Sequence, residues 1–282
     1  MASLKISVVT PSFNQACFLE QTIESVLSQD YPNLEYIVMD GGSSDGSVDI
    51  IRKHSGQIAY WCSEKDDGQA DAIGQGFDRA TGDILCWLNS DDLFLPGALS
   101  TVAAYFERHP DIKTVSGGAY RVDSAGKPFG LKFRAYELGV KATYDRLRFY
   151  GQDGVFQQST FWRRSAYDAV GGVNRNLQYI MDRDLFVRLA QRSRFGRLSC
   201  LLAAFRQHDE SKTHLCRNVC AAEEKRFDET YGVSKYRSVA RQIRYLRYRV
   251  PSCLRKVKLL TMRLSGLISL PSLAGQESLP FK

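Results

Sequence analysis

The chain has 282 residues, of which 44% are hydrophobic and 11% aromatic, so it can bury a full core as one large α/β domain or two small ones. Seven scattered cysteines exclude a disulfide framework and predict reduced thiols in a cytosolic compartment. The net charge of +7 belongs to the C terminus, because residues 234–282 carry 11 Lys and Arg against one acid, whereas residues 1–233 carry 27 against 30.

The N terminus runs directly into a strand pattern, without the apolar segment and small-residue cleavage site of a secretory signal. No apolar run approaches the roughly 18 to 20 residues that a membrane-spanning helix needs. We therefore expect a cytoplasmic protein that does not cross a bilayer.

Strand and helix patterns alternate through the first 110 residues. Short β-branched or apolar runs predict the strands, and apolar residues at helical spacing predict the helices. The predicted strands are residues 4–10, 34–39, 57–62 and 84–88, and the helices are residues 18–27, 48–52, a helix ending near 77, and 96–108. This alternation predicts a parallel sheet with right-handed crossovers.

Polar residues follow each of these strands. They are Thr10, Asp40, the loop 66–71, and the adjacent Asp91 and Asp92. Because the carboxyl ends of parallel strands meet at one edge of a sheet, we expect these groups to lie together, where ligands of open α/β sheets bind. The glycines after Asp40 do not form a dinucleotide fingerprint, because GxGxxG should follow the first strand.

Two interpretations apply to the carboxylates of Asp91 and Asp92. They can hold a hard divalent cation that carries phosphates, since Mg²⁺ and Mn²⁺ bind oxygen ligands. Alternatively, one of them caps the next helix. The clustering of polar residues at consecutive strand ends favours the cation site.

Residues 111–233 lose the regular alternation. The patterns predict strands at residues 112–122, 129–133, 156–162 and 198–205, and helices at residues 163–170 and 182–190. The aromatic and basic stretch 136–150 is where an acceptor-binding half would be added. Asp182 begins its helix, so it is a catalytic candidate or an ordinary N-terminal cap.

Residues 234–282 form a basic tail with two amphipathic helical patterns separated by Pro251. Such helices suit an anionic membrane surface. They equally suit packing of the apolar stripe on the domain with a solvated basic face. Nucleic-acid binding is a third interpretation of the charge, but no recognised nucleic-acid motif accompanies it, so we expect no nucleic-acid partner.

Several segments together resemble a known family. They are TPSFNQACFLEQTIESVLSQDYPNLEYIVMDGGSSDGS, SEKDDGQADAIGQGFDRATGD, CWLNSDD, QQSTFWRRSAYDAVGG, YIMDRDLFVRLA and FRQHDESKT, in that order between Leu4 and Thr213. The chain resembles the bacterial, nucleotide-sugar-dependent family-2 glycosyltransferases of the A-type (GT-A) fold. The resemblance implies an α/β fold with a Rossmann-like, mostly parallel sheet, in which residues 1–110 bind the nucleotide sugar and residues 111–233 bind the acceptor and catalyse transfer. The basic helical tail, residues 234–282, lies beyond it.

The resemblance also implies roles for individual residues. The positions for the nucleoside base are Thr10, Pro11, Phe13 and Asp40. The positions for the rest of the donor are Asp66, Asp71, Asn89 and Asp91. The positions for the metal ion, Mn²⁺ or Mg²⁺, are Asp92 and His208. The position for the catalytic base is Asp182.

Two departures from the family pattern bear on these roles. Met181 replaces the usual acid before Asp182, which leaves Asp184 as a less favoured substitute base. Gly74-Gln75 stands where many bacterial relatives have Asn-Lys, which removes one donor contact.

The resulting hypothesis is an inverting glycosyltransferase. It moves a sugar from a nucleoside-diphosphate sugar, with a UDP-sugar favoured, to a hydroxyl of a lipid-linked or cell-surface glycan, such as an exopolysaccharide, O-antigen or glycolipid. Inversion follows from a single base and no dedicated nucleophile. The expected location is cytoplasmic, with a peripheral position on the inner face of the plasma membrane as an option. The alternative function is a catalytically weak nucleotide-sugar-binding scaffold at the membrane surface, which the substitution at Met181 suggests.

Overall fold

A computed structural model describes residues 3–133, 155–208, 212 and 217–232. The chain divides into two compact units, Met1–Phe227 and Asp228–Lys282, and the sheet and the site belong to the first. The aromatic, basic stretch 136–150 and the tail 234–282 lie outside the described residues. The predicted boundaries at residues 110 and 233, between the two halves of the domain and before the tail, stay predictions.

Nine strands form one sheet within the described ranges. They are β1 (Ile6–Ser12), β2 (Leu34–Asp40), β3 (Tyr60–Ser63), β4 (Ile84–Trp87), β5 (Leu93–Phe94), β6 (Thr114–Val122), β7 (Pro128–Phe133), β8 (Thr160–Arg163) and β9 (Phe195–Arg206). Their order is β3-β2-β1-β4-β8-β6-β9-β5, and β7 pairs with β6.

The first four strands in this order are parallel. Val9 of β1 is in register with Ile37 of β2 on one side and with Trp87 of β4 on the other. All three side chains are almost completely buried, which is why the strands are continuous apolar runs and not alternating ones. The carboxyl ends of these strands therefore share one edge, and the predicted α/β class and parallel sheet are confirmed.

The other half of the sheet is mixed. β4 pairs antiparallel with β8, which pairs antiparallel with β6, and β6 runs parallel to β9. One sheet thus contains strands from both of the predicted halves of the chain. The predicted strand 156–162 is in fact a 3₁₀ turn, Gln157–Ser159, followed by β8.

The two-residue strand β5 was not predicted. Leu93 and Phe94 pair antiparallel with Ala204 and Ala203 near the end of β9. Two residues are too few for a periodic pattern, so only the tertiary fold reveals this strand. Its pairing brings the end of β9 beside the turn that follows β4.

The helices lie close to their predicted positions. Within the described ranges they are α1 (Ala16–Leu27), α2 (Ser47–His54), α3 (Gln69–Arg79), α4 (Ala98–Arg108), α5 (Arg164–Ala169), α6 (Met181–Arg192) and α7 (Arg217–Thr230). Helix α7 was not predicted. None of the helices in these ranges is long and apolar enough to cross a membrane.

An aromatic cluster attaches α6 to the sheet. Trp87 of β4 and Trp162 of β8 pack edge to face with ring centroids 5.5 Å apart, and Phe186 of α6 lies 6.1 Å from Trp162. All three are at most 2% exposed, so each contributes roughly 1.5 to 3 kcal/mol of burial free energy. The helix that begins beside Asp182 is therefore fixed on the strand that leads to Asp91.

Gly76 allows α3 to approach the sheet closely. A Cβ atom at this position would lie 2.4 Å from Val9 Cγ1, on the central strand β1. We expect Gly76→Ala to lower the free energy of unfolding by about 1 to 2 kcal/mol, because overpacking outweighs the gain in helix propensity. Urea unfolding followed by tryptophan fluorescence measures the change.

The matched control is Gly56→Ala, where an added Cβ has no heavy atom within 4 Å. This variant should change the free energy of unfolding by less than about 0.5 kcal/mol. Equal stability of the two variants would contradict the close approach at Gly76.

Candidate active site

Asp92 is buried in the turn after β4. It is 0% exposed, and its Oδ1 accepts a hydrogen bond from the backbone N–H of Arg206 at 3.0 Å. Its backbone carbonyl accepts another from Thr22 Oγ1 at 2.8 Å. Burial raises the pKa of Asp92 well above its usual range, and the neighbouring charge of Asp91 adds to this. Asp92 thus joins the turn to the end of β9, and its predicted role as a metal ligand stays a prediction.

Asp91 presents the accessible carboxylate of the pair. Its side chain is 20% exposed, and its Oδ2 lies 3.1 Å from His208 Nε2. The ring of His208 packs against Phe18 at a centroid distance of 4.6 Å. The buried Nδ1 of His208 has no hydrogen-bond partner among the described residues. The fold therefore brings Asp91 and His208 together, although they are far apart in sequence.

The buried side chain of Arg206 holds Asp91 and Phe18 in place. It is 0% exposed, and its guanidinium lies 4.7 Å from the centroid of the Phe18 ring. Its side-chain donors reach the carbonyl oxygens of Asp91 (2.9 Å) and Ser124 (2.8 Å) and Oε1 of Gln21 (2.7 Å). A planar guanidinium can serve several acceptors at once, which an ammonium cannot do with the same geometry. The predicted strand ends at residue 205, and no role is predicted for Arg206.

Asn89 belongs to a network of amide side chains. Its Oδ1 accepts a hydrogen bond from Gln69 Nε2 at 2.9 Å, and its Nδ2 donates to Gln157 Oε1 at 3.3 Å. Gln157 in turn donates to the carbonyl of Trp87 at 2.7 Å. Asn89 therefore links the start of α3 to the turn before β8.

Asp40 shapes the loop that follows β2. It is 2% exposed, and its oxygens accept hydrogen bonds from Gly42 N, from Ser43 N and Oγ, and from Ser63 Oγ. Three of these bonds go to Oδ2 and one to Oδ1. Asp40 therefore lies at the predicted sheet edge, where it organises the loop, and its role in binding the nucleoside base stays a prediction.

The end of β1 presents an aromatic ring. Thr10 is buried, with its Oγ1 accepting a hydrogen bond from Tyr36 at 3.1 Å, and Pro11 is buried beside it. Phe13, just past the strand, is 60% exposed. Of the four positions predicted to hold a base, Phe13 is therefore the one whose side chain a ligand can contact.

Asp66 lies in the loop after β3, and Asp71 lies in the first turn of α3. Asp66 accepts a hydrogen bond from Gly68 N at 2.9 Å. Burial raises the pKa of Asp66, and the charges of Asp71 and Asp40 act in the same direction. A Cβ on Gly41, the residue after Asp40, would lie 2.8 Å from Asp66 Oδ2, so Asp66 lies beside the carboxyl end of β2.

Arg175 supplies a cation to this acidic region. Its Nη1 lies 3.6 Å from Asp71 Oδ1, and its Nη2 bonds to Asp78 on the same helix, α3. A Cβ on Gly74 would lie 2.3 Å from Arg175 Nε, so the glycine leaves the space that the guanidinium occupies. Gln75 donates to Asp71 at 2.7 Å. The departure at Gly74-Gln75 is thus accompanied by a positive charge from the loop before α6.

Asp182 lies in the first turn of α6 and is partly exposed. Its Oδ1 accepts a hydrogen bond from the N–H of Arg183 at 2.7 Å. Burial raises the pKa of Asp182 to about 6. Asp184 is instead paired with Arg188 through Nε (2.9 Å) and Nη2 (2.7 Å), so it is committed to an ion pair. Asp182 is the acid of this helix with the properties of a base.

Glu223 of α7 is a site residue that the sequence did not reveal. It is 7% exposed and accepts hydrogen bonds from the N–H groups of Gln178, Tyr179 and Ile180, which lead into α6. No sequence rule pairs an acid with three backbone donors some 40 residues away. The helical spacing of Glu223 and Phe227 was the available signal.

Comparison with known proteins identifies the family. The family model described as glycosyl transferase family 2 matches residues 7–171, more than half of the chain. The chain belongs to glycosyl transferase family 2. The predicted family and enzyme class are therefore confirmed.

Named relatives agree with this result. An uncharacterized glycosyltransferase of Mycobacterium tuberculosis is 30% identical over 206 residues, covering 71% of this chain and 74% of the relative. A PGL/p-HBAD biosynthesis glycosyltransferase of Mycobacterium bovis is 28% identical over 192 residues, covering 67% of this chain and 70% of the relative.

Solved structures share the fold. S. aureus TarS 1–349 in complex with UDP-GlcNAc has a TM-score of 0.66 at 16% identity, over 93% of this chain and 73% of that one. The mannosyltransferase PcManGT of Pyrobaculum calidifontis, in complex with GDP-Man and Mn²⁺, has a TM-score of 0.60 at 16% identity, over 95% of this chain and 82% of that one. The GT-A fold of this family-2 glycosyltransferase is thereby confirmed.

The contacts of Arg206 predict a large effect of a conservative change. We expect Arg206→Lys to lower the free energy of unfolding by about 2 to 4 kcal/mol, because several hydrogen bonds from a buried charged group are lost. Arg192→Lys, at the exposed end of α6, is the control and should change it by less than about 0.5 kcal/mol. Urea unfolding of both variants checks this, and wild-type stability of Arg206→Lys would contradict the role of the guanidinium.

Proposed function

We propose that this family-2 glycosyltransferase moves a sugar from a nucleoside-diphosphate sugar to a hydroxyl group of a lipid-linked or cell-surface glycan, with inversion at the anomeric carbon. A UDP-sugar is the favoured donor. The complexes of TarS with UDP-GlcNAc and of PcManGT with GDP-Man support a nucleotide-sugar donor for this chain. The relative named for PGL/p-HBAD biosynthesis supports a glycolipid acceptor.

The observation that carries the proposal is the state of Asp182. A sugar hydroxyl attacks poorly until a carboxylate takes its proton, which contributes roughly 10² to 10⁴ in rate. The raised pKa of Asp182, about 6, leaves it ionised at neutral pH and makes it more basic than an exposed aspartate. Its partial exposure lets a hydroxyl reach it.

The ion pair of Asp184, the second acid of α6, agrees with inversion at the anomeric carbon. A retaining double displacement would need a carboxylate free to attack the anomeric carbon. Asp184 is tied to Arg188 within α6 and is only 9% exposed. With one base and one displacement, the configuration at the anomeric carbon inverts.

Asp91 and His208 fit a divalent cation. Their Oδ2 and Nε2 atoms lie 3.1 Å apart at the sheet edge, and both atom types are ligands of Mn²⁺, while Mg²⁺ prefers the oxygen. We assign the metal to these two residues in place of Asp92, because Asp91 carries the more exposed carboxylate of the adjacent pair. A cation held there would neutralise the charge that develops on the departing nucleoside diphosphate.

The donor would extend from this pair towards β1 and β3. The exposed ring of Phe13 can stack on the nucleoside base, since an aromatic face packs well on another planar ring. Asp66 lies in the loop after β3 and Asp71 in the first turn of α3, where hydrogen bonds to ribose or sugar hydroxyls can form. Arg175, beside Asp71, supplies a positive charge on the same side.

A lipid-linked acceptor and the basic tail both favour a location of the enzyme at the inner face of the plasma membrane. Lipid-linked acceptors are presented at a membrane surface, and anionic lipids attract basic residues with about 1 kcal/mol each before screening. The basic segment 234–282 would supply this attraction to a cytoplasmic enzyme.

The scaffold alternative rested on Met181. Met181 stands where the family has an acid, and its thioether cannot take a proton from a hydroxyl, so the base would have to be Asp182 alone. A protein that binds nucleotide sugars without any turnover would nevertheless support the scaffold. The tests below therefore measure donor binding and turnover separately.

The first test separates the two adjacent acids of the turn. We expect Asp91→Ala to abolish Mn²⁺-dependent donor turnover while keeping the wild-type melting temperature. Asp92→Ala should instead lower the free energy of unfolding by about 1 to 3 kcal/mol, because the buried N–H of Arg206 loses its acceptor.

Turnover measured in EDTA and during Mn²⁺ titration, together with calorimetric Mn²⁺ binding, distinguishes these outcomes. Full metal-dependent activity of Asp91→Ala would refute the metal assignment. A stable but inactive Asp92→Ala would restore the original one.

The second test concerns the base. Asp182→Asn should bind the donor normally but transfer at a rate lower by about 10² or more. The wild-type rate should fall about tenfold per pH unit below the pKa of about 6, because the protonated acid cannot accept a proton. Asp168→Asn, the same change at an exposed position of α5, should keep wild-type kinetics and is the control.

Stability provides a further readout of the same variant. Because the pKa of Asp182 is raised in the folded state, its ionised form is disfavoured there above pH 6, and this destabilisation fades as the pH falls towards 4. Asp182→Asn should therefore be at least as stable as the wild type at pH 7.5, with a smaller difference at pH 5. Full transfer activity of the variant would sink the role of Asp182.

A further inference from the structure

A buried carboxylate lies under the segment that leads into α6. Glu223 Oε1 accepts the N–H of Gln178 at 2.6 Å, and Oε2 accepts those of Tyr179 at 2.9 Å and Ile180 at 3.2 Å. Ile180 occupies the N-cap position of α6, where its apolar side chain cannot accept a hydrogen bond. The entry to the helix is therefore held by a residue from a different helix.

A second contact from the same face of α7 follows immediately after Asp182. The Arg183 guanidinium lies 4.1 Å from the centroid of the Phe227 ring, and Arg183 is 5% exposed. Glu223 and Phe227 are four residues apart, so they lie one turn from each other on α7. Asp182 is thus bracketed by two contacts from α7, one before it and one after it.

The segment 178–180 also contacts the loop after β3. Gln178 Nε2 donates to the carbonyl of Asp67 at 3.1 Å. The chain that Glu223 holds therefore lies between the loop that carries Asp66 and the helix that carries Asp182. Displacing it would change the distance from the base to the donor.

The charge on Glu223 matters for this geometry. A carboxylate offers only acceptors, so both oxygens can take the three N–H groups at once. Bonds of this charge-assisted kind are short and directional, and a buried carboxylate without them would be strongly destabilised. A glutamine would bring an NH₂ group against at least one N–H donor and so displace the segment.

We propose that Glu223 is a positioning residue for the transfer reaction, which sets Asp182 at the distance from the donor where it can take the proton of the acceptor hydroxyl. This inference rests on the proposed role of Asp182 as the base. It adds α7, which lies beyond the residues that the family model matches, to the catalytic apparatus.

The test compares Glu223→Gln with Glu229→Gln, the same change at an exposed position of α7. Glu223→Gln should lower kcat for transfer about 10- to 100-fold, because misplacing a catalytic group by about 1 Å costs rate on this scale. The donor Kd should change by less than about threefold, since the donor contacts are not altered. Glu229→Gln should match the wild type in both quantities.

A double-mutant cycle with Asp182→Asn separates positioning from general support of the fold. If Glu223 acts through Asp182, then adding Glu223→Gln to Asp182→Asn should cause no further loss of kcat. The same loss in both backgrounds would overturn the proposal, because Glu223 would then act independently of the base. Wild-type kcat of the single variant Glu223→Gln would overturn it as well.

Different results would contradict the role of Asp182 as the base and the role of Glu223 as its positioning residue. Full activity of Asp182→Asn removes the base and the inference together, whereas an impaired Asp182→Asn beside a fully active Glu223→Gln removes the inference alone. If Glu223→Gln does not fold, two milder variants test the proposal instead. Glu223→Asp keeps the negative charge, and Phe227→Leu keeps an apolar side chain. Each should lower kcat selectively and lose this effect in the Asp182→Asn background, and an unchanged kcat in both would overturn the proposal.

Discussion

The site depends on one buried guanidinium, that of Arg206. The guanidinium joins the end of β9 to the turn after β4, and the backbone N–H of the same residue donates a hydrogen bond to the carboxylate of Asp92. A buried charge must be compensated by well-placed acceptors, so the carbonyls around it have little freedom. With the inner acid engaged in this way, Asp91 is the one that faces outward, beside His208. The pairing of β5 with β9 and the packing of Phe18 support the same arrangement.

Most of the fold could be predicted from the sequence because its physical causes are local. The apolar runs of β1, β2 and β4 and the helical spacing of α1 and α4 are patterns within single segments, and parallel pairing places their polar ends at one edge. Strand β5 has two residues and pairs with one more than 100 residues away. Helix α7 holds the segment before α6 through Glu223. The hydrogen-bond partners of Glu223 are backbone N–H groups, which have no sequence signature.

The roles of individual acids were harder to predict than their location. Asp91 and Asp92 are identical side chains in adjacent positions, and only the tertiary pairing decides which is buried. Asp40 likewise lies at the expected strand end, but its oxygens are taken by the loop that it organises. Asp182 differs, because its position at a helix start and its partial exposure suit the predicted role. Location at a sheet edge is thus a sequence property, whereas accessibility is a property of packing.

The absence of a side chain at Gly74 links two distant parts of the chain. The space that a Cβ would fill is occupied by Arg175, whose charge lies beside Asp71 and Asp78. In this geometry a larger residue at position 74 would displace the guanidinium of Arg175 from its place beside Asp71. The two positions should therefore vary together during evolution, so that lineages with an amide-bearing residue on α3 lack the arginine, and lineages with the arginine keep the glycine.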